Sequence, residues 1–128
     1  MQVTPLYAGL LAIWFVVLSA RVIQKRRAGI SLGDGGDAGM LRRIRAHANF
    51  AEYVPFVLVM MAVLESSGTS VYALHAIGVA LLLGRLLHGY AFSFSDSFPV
   101  GRVAGTVLTL STLVVSGALC IVQSIGSR

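Results

Sequence analysis

Long uncharged stretches alternate with short polar ones along this chain. Three of them cover residues 1–20, 66–84 and 103–127, and each is close to the roughly 20 residues that an α-helix needs to cross a bilayer. A fourth apolar run, residues 53–64, is too short alone. It becomes a span only if its helix starts near Met40 and carries polar side chains into the membrane. The pattern predicts four transmembrane helices.

Local signals place the first of these helices. Thr4 and Pro5 are typical of an N-cap followed by a first-turn proline, which predicts a helix from there to about Val22. Arg21 is expected to end it. At that position Arg21 is either an anchor that reaches the membrane surface or a contact for a ligand.

The other three helices have similar markers. Asp37, after a glycine-rich loop, is the expected cap of the second helix, and Glu65 closes that helix near the opposite surface. Pro55 lies inside it, where the missing N–H favours a bend. The third helix is expected over residues 70–92, and the fourth begins about one turn before Arg102.

The composition agrees with this interpretation. Of 128 residues, 56% are hydrophobic and 12% are charged, and the mean hydropathy is +0.83, whereas a soluble domain has about 25% charged residues. There is no internal repeat, so residues 1–128 are predicted to form one integral membrane domain. The single cysteine, Cys120, excludes an intrachain disulfide and is expected to pack. The three histidines show no metal-site spacing, and no metal is predicted.

The positive charges predict the orientation. The net charge is +5, and the cations cluster around the first loop, as Lys25, Arg26, Arg27, Arg42, Arg43 and Arg45. The second loop has neither lysine nor arginine. By the positive-inside rule, the first loop is cytoplasmic and both termini are outside. Because the charges flank spans and no soluble domain carries them, a nucleic-acid partner is not expected.

Polar residues at the start of the second helix form a stripe. Residues 42–55 read R-R-I-R-A-H-A-N-F-A-E-Y-V-P, and at about 100° per residue one face about 100° wide collects Arg42, Arg45, Asn49, Glu52 and Tyr53. A charge facing lipid costs roughly 2.5 to 3.5 kcal/mol, so this face should meet protein or a watered cleft. Such a stripe can hold a zwitterionic ligand. The alternative is an internal ion pair between Arg45 and Glu52.

The third and fourth helices add polar positions at the same predicted end of the bundle. Arg85 and His88 share a face at i, i+3. Arg102 lies near a helix N-terminus without an acidic neighbour in sequence, and together with the helix dipole it favours an anion. A stripe of small residues that allows close helix approach follows, as Gly105, Thr109, Thr112 and Ser116.

Taken together, R-x-x-R-x-H-x-N-x-x-E-Y-x-P in helix two, R-x-x-H-G-Y in helix three and the arginine that opens helix four resemble the MAPEG family, membrane-associated proteins in eicosanoid and glutathione metabolism. In length and loops the chain resembles the short bacterial members. The resemblance implies an all-α four-transmembrane-helix bundle, a homotrimer, a bacterial inner-membrane location, and glutathione held between subunits at the cytoplasmic side.

The same resemblance implies roles for individual residues. Arg102 matches the arginine that stabilises the glutathione thiolate and is the candidate catalytic residue. Phe92 stands where some members carry a tyrosine, which leaves substrate choice open. The residues that match glutathione contacts are Arg21, Arg42, Arg45, Asn49, Glu52, Tyr53, Arg85, His88 and Tyr90.

The leading hypothesis is a glutathione-dependent membrane transferase or peroxidase, which conjugates or reduces hydrophobic electrophiles that arrive from the bilayer. A second hypothesis is a non-catalytic lipid-binding or scaffold trimer, because the family includes a lipid-presenting protein and fold alone does not establish an enzyme. A third is a small multidrug exporter. Proton-coupled carriers of that type need a carboxylate within the membrane, commonly in helix one, and helix one has none.

Overall fold

The computed structural model describes residues 2–126, which form four α-helices: α1 over Thr4–Arg27, α2 over Ala38–Ser66, α3 over Val71–Ser93 and α4 over Pro99–Gly126. Each helix is long and apolar enough to cross a membrane. The predicted all-α architecture of four spans is therefore confirmed. The outermost positions of the first and last apolar runs, Met1 and Ser127, lie outside the described residues.

The start of α1 is capped by another helix. The backbone N–H groups of Val3 and Thr4 both donate to the carboxylate of Glu65, the second of them at 3.0 Å. The prediction that Thr4 is the N-cap is therefore wrong, because a carboxylate from α2 already accepts the free N–H groups. Pro5 occupies the first turn as predicted.

The end of α1 lies beyond the predicted one. The helix continues past Arg21 and Val22 to Arg27, so Arg21 does not end it. The last turn consists of Lys25, Arg26 and Arg27. Lysine and arginine are good helix formers, and cations are favoured at a helix C-terminus by the dipole. The charged residues after the span therefore extend the helix instead of stopping it.

Asp37 caps α2 as predicted. Its Oδ1 accepts a hydrogen bond from the N–H of Met40 at 2.7 Å, and its Oδ2 is 2.9 Å from the ammonium of Lys25. The hydrogen bond from Lys25, followed by that from Met40, lowers the pKa of the Asp37 carboxyl below its usual value. The carboxylate thus stays ionised at neutral pH. α2 then continues through Pro55 to Ser66.

The four helices run antiparallel in chain order, and hydrogen bonds tie both ends of the bundle. At the end that contains the two longer connections, residues 28–37 and 94–98, Arg21 Nη2 donates to the carbonyl of Ser93 at 2.8 Å. We call this the basic end. At the far end the Gln123 amide donates to the Thr69 hydroxyl. α3 contacts every other helix, while α1 and α4 make no close contact with each other.

The small-residue stripe of α4 lies against α3. A Cβ added at Gly105 would stand 2.6 Å from the carbonyl oxygen of Gly84 and 2.8 Å from the Cβ of His88. The remaining members of the stripe are buried too, namely Thr109, Thr112 and Ser116. The stripe therefore packs inside the bundle, where Gly105 allows α3 and α4 to approach closely.

We expect Gly105→Ala to lower the thermal stability of the bundle markedly, because its new methyl group would collide with the backbone of α3. Gly117→Ala is the matched control on the same helix: the nearest atom to its added Cβ is Met60 Sδ at 3.9 Å. Melting temperatures in detergent should separate the two variants. Equal melting temperatures would contradict the close packing of α3 on α4.

Two further contacts join the helices, and the second agrees with the expectation that Cys120 packs. The Tyr7 hydroxyl lies 2.9 Å from His75 Nδ1, which joins α1 to α3. Cys120 is half-buried at the edge of the hydrophobic core, with its Sγ 3.9 Å from the carbonyl oxygen of Met60.

The orientation in the membrane stays a prediction, and cysteine labelling tests it. In a variant whose Cys120 is replaced by serine, Ser31→Cys in the first connection and Ser67→Cys at the far end should label from opposite sides of the membrane. Both positions are exposed. By the positive-inside rule, Ser31→Cys should react only from the cytoplasmic side. Labelling of both from one side would exclude the predicted topology.

Candidate functional site

The polar stripe of α2 lines a cavity at the basic end. This polar cavity, of about 270 Å³, is bounded by two helices: α2 contributes Arg45, Asn49 and Glu52, and α3 contributes His88 and Phe92. The side chains of Arg45 and Glu52 are exposed, and Asn49 is half-buried. A cation, an amide and a carboxylate of the stripe thus meet at this cavity beside two rings.

A second cavity adjoins the first and is more apolar. It has about 260 Å³, and His88 and Phe92 form a wall that it shares with the polar cavity. Its other side is α4, with Arg102, Val103 and two further residues, Thr106 and Val107. We call this the apolar cavity. Arg102 thus stands at the apolar cavity, across the shared wall from the α2 stripe.

Phe92 is the side chain around which these spaces are arranged. Besides its place in both cavities, it lines a third space of about 320 Å³ together with Arg42, Asp96 and Arg102. Its ring stacks on His88 with centroids 4.7 Å apart, and the Arg102 guanidinium lies 5.7 Å from its centroid. The family resemblance drew attention to Phe92 only as a position where some members carry a tyrosine, and the residue pattern alone does not indicate its place between the cavities.

Two arginines that line these cavities, Arg45 and Arg102, have no carboxylate partner among residues 2–126. Among residues 2–126, the ion pairs within 4.0 Å are Lys25 with Asp37 and Arg42 with Asp96. Neither Arg45 nor Arg102 belongs to a pair, so the alternative in which Arg45 pairs with Glu52 inside the bundle is not realised. Two guanidiniums without carboxylate partners, beside adjoining cavities, favour binding of an anionic ligand.

Asp96 is a site residue that the sequence did not single out. It lies in the connection after α3 and forms an ion pair with Arg42 at the start of α2. Its side chain is 91% exposed, and it closes one side of the space that Phe92 and Arg102 line. A carboxylate in a loop becomes notable only when the fold brings it to an arginine more than fifty positions earlier.

Arg85 is placed behind the polar cavity. It is 1% exposed, and its Nη1 donates to Asn49 Oδ1 at 2.8 Å. Because a guanidinium has only donors, the atom of Asn49 that faces it must be the carbonyl oxygen. The amide N–H₂ of Asn49 is then left for the cavity. Trp14 supports this position by donating to the carbonyl of Arg85 at 3.0 Å.

This arrangement predicts the behaviour of Asn49→Asp. A carboxylate of the same shape would pair with the buried Arg85 and remove the donor that faces the cavity, so binding of an anionic ligand should weaken about tenfold or more. The melting temperature should not fall, since the variant gives Arg85 a counter-charge. Unchanged ligand affinity in Asn49→Asp would show that the amide N–H₂ does not face the ligand.

Five of the predicted contacts line neither of the two cavities: Arg42 and Arg85, described above, and Arg21, Tyr53 and Tyr90. Arg21 donates to the Ser93 carbonyl, and its guanidinium lies 4.4 Å from the centroid of the Phe94 ring. Tyr90 is 53% exposed and stacks on Phe94 at 5.8 Å. Tyr53 is half-buried on α2, one residue after Glu52. Their contact with a ligand stays a prediction.

Comparison with known proteins identifies the family of the chain. The model of the MAPEG family matches residues 4–122, which is nearly the whole chain. Inner membrane protein YecN of Escherichia coli, from strains K12 and O6:H1, is 37% identical over 92 residues, which cover 71% of this chain and 70% of that protein. With four helices that could cross a membrane and this match, the chain belongs to the MAPEG family.

Proposed function

We propose that this protein is a glutathione-dependent transferase or peroxidase of the inner membrane that acts on hydrophobic electrophiles. Membership of the MAPEG family supports a role related to glutathione. The observation that carries the finer proposal is the adjoining pair of cavities, one polar with Arg45 and one apolar with Arg102, on either side of His88 and Phe92.

The polar cavity suits one end of glutathione. Glutathione has two carboxylates and one ammonium. Arg45 and the amide N–H₂ of Asn49 would donate to a carboxylate, and Glu52 would accept from the ammonium. A zwitterionic α-amino-acid group needs donors and an acceptor of this kind side by side. This division of roles explains why a carboxylate is present in a stripe that is otherwise cationic.

Arg102 is proposed to stabilise the thiolate. A free thiol has a pKa near 8.5, so only a few per cent of it is ionised at neutral pH. A guanidinium close to the sulfur that lowers this pKa by roughly two units contributes about 2.7 kcal/mol and makes the thiolate the dominant form. Arginine cannot act as a base at neutral pH, so its role is electrostatic. The thiol proton leaves to water.

The electrophile is proposed to lie in the apolar cavity. Val103 and Val107 are 57% and 56% exposed on the surface of α4, so this space opens toward the lipid side of the helix. In conjugation, the thiolate sulfur forms a bond to the electrophilic carbon, and the electron pair of the broken bond leaves with the departing group. A hydrophobic substrate can reach Arg102 from the bilayer without crossing the charged end.

A homotrimer with the site between subunits is part of the proposal. The cavities are open at the surface of a single chain, and the exposed Tyr90, which the family resemblance assigns to the site, lies away from them. A neighbouring subunit would bring a second surface to the polar and apolar cavities. The detergent-corrected mass of the purified protein should equal three subunits, and a monomer would remove the intersubunit site. We propose that these cavities lie at the cytoplasmic face and that both termini are outside.

Turnover by purified protein tests the proposal. Glutathione with an aryl halide and glutathione with an organic hydroperoxide should each be compared with a blank that contains detergent alone. We expect consumption of at least one electrophile above the blank, saturable in glutathione. Saturable binding of glutathione without turnover of either electrophile would instead favour a non-catalytic lipid-binding or scaffold protein.

A further inference from the structure

Another group of cations lies at the basic end, around Arg42, the first residue of the α2 stripe. A cavity of about 270 Å³ is bounded by the end of α1, the start of α2 and the connection after α3. Its charged lining consists of four cations, Arg21, Lys25, Arg42 and Arg43, and one carboxylate, Asp96. We call this space the end cavity. Neither Lys25 nor Arg43 belongs to the glutathione site proposed above.

Two of the four cations lack a counter-charge. Lys25 pairs with Asp37 and Arg42 pairs with Asp96, whereas no carboxylate among residues 2–126 lies within 4.0 Å of Arg21 or Arg43. Instead both guanidiniums donate to the same neutral oxygen, Gln24 Oε1, at 3.2 and 3.3 Å. Two positive groups that converge on one amide oxygen repel each other. An anion bound between them would offset this repulsion.

Hydrogen bonds to backbone carbonyls at the helix ends use only part of the donor capacity of Arg21 and Arg43. Arg21 donates to the carbonyl of Ser93, and Arg43 donates to the carbonyl of Arg21 at 2.9 Å. A guanidinium has five N–H donors. The Nε atoms of Arg21 and Arg42 are buried and have no acceptor among residues 2–126. A buried donor without an acceptor is costly and calls for a bound water or ligand.

We infer that the end cavity binds a phosphate group, carried by the headgroup of an anionic phospholipid. A phosphate presents several acceptor oxygens and a negative charge to the unpaired Arg21 and Arg43, for which charge-assisted bonds are the strong type. The cavity adjoins the basic last turn of α1 and the start of α2, so four membrane spans would put it at the depth of lipid headgroups. Basic pockets between membrane helices on the cytoplasmic side suit anionic lipid headgroups. This inference does not depend on glutathione chemistry.

Thermal unfolding in neutral detergent tests the site with three probes: inorganic phosphate, phosphatidylglycerol and phosphatidylcholine, each at matched ionic strength. We expect phosphatidylglycerol to raise the melting temperature and phosphatidylcholine to leave it unchanged. In Arg43→Gln, phosphatidylglycerol binding should be about tenfold or more weaker, because one charge-assisted partner is lost. The matched control is Arg27→Gln, an exposed arginine that does not line the cavity, and it should respond like the unchanged protein.

The other possible outcomes also test the proposed phospholipid site. Stabilisation by inorganic phosphate alone would keep the phosphate site but reject the lipid as its source. If neither inorganic phosphate nor phosphatidylglycerol raises the melting temperature, or if Arg43→Gln responds to them like the unchanged protein, the site is overturned. Competition between glutathione and phosphatidylglycerol would assign the end cavity to glutathione instead. If Arg43→Gln does not fold, native mass spectrometry of the unchanged protein should show retained phosphatidylglycerol and no retained phosphatidylcholine; equal retention would contradict the inference.

Discussion

Replacing Arg102 with leucine should lower the rate of glutathione conjugation at neutral pH by up to about a hundredfold, which corresponds to the roughly 2.7 kcal/mol of thiolate stabilisation proposed for it. Glutathione affinity should stay within a few-fold, because Arg45, Asn49 and Glu52 line the polar cavity and Arg102 does not. The pKa of the bound thiol should rise by roughly two units. The variant should therefore recover part of its rate as the pH is raised.

Arg27→Leu is the matched control for this experiment. Arg27 is exposed in the last turn of α1 and lines none of the cavities described above. It removes one positive charge from the same end of the bundle, so it separates a local effect on the thiol from a change in net charge. Equal loss of rate in both variants, or no loss in Arg102→Leu, would exclude Arg102 as the thiolate-stabilising residue.

Arg45→Ala and Glu52→Ala should each weaken glutathione binding at least about tenfold, because each removes a charge-assisted partner worth roughly 1.5 to 3 kcal/mol. The two changes should differ with truncated ligands. Loss of Arg45 should matter for any ligand that keeps the α-carboxylate, while loss of Glu52 should matter only for one that keeps the ammonium. Calorimetric titration with glutathione and with its deaminated analogue measures both effects.

Thermal stability provides the check on this second prediction. Neither side chain forms an ion pair among the described residues, and both are exposed, so the melting temperatures of Arg45→Ala and Glu52→Ala should stay close to that of the unchanged protein. Unchanged glutathione affinity together with a lower melting temperature would support a structural role for these residues and would contradict the polar cavity as the ligand site.

The spans could be predicted because hydropathy over about 20 residues is a strong physical signal. The ends of the helices were harder to predict from the sequence. α1 runs to Arg27 because a charged helix can continue in the headgroup layer after the apolar zone ends. The cap of its first turn is Glu65, which lies more than sixty positions away in sequence, so a local motif at Thr4 could not reveal it.

The α2 stripe was also accessible from sequence, since helical periodicity places Arg45, Asn49 and Glu52 on one face whatever the tertiary packing. The residues of other helices that face this stripe could not be predicted from the sequence. Phe92 has no polar atom that would mark it, and its importance comes from the position of α4 across from it. Arg85 could be recognised as a site residue, but only packing shows that it stands behind Asn49.

Ultraviolet difference spectroscopy of the purified protein with glutathione tests the proposed activity most directly, because the thiolate absorbs where the thiol does not. We expect a thiolate band at neutral pH for the unchanged protein, and in Arg102→Leu a band that appears only at higher pH. Saturable binding of glutathione by the unchanged protein with no thiolate band at neutral pH would contradict the proposed activity.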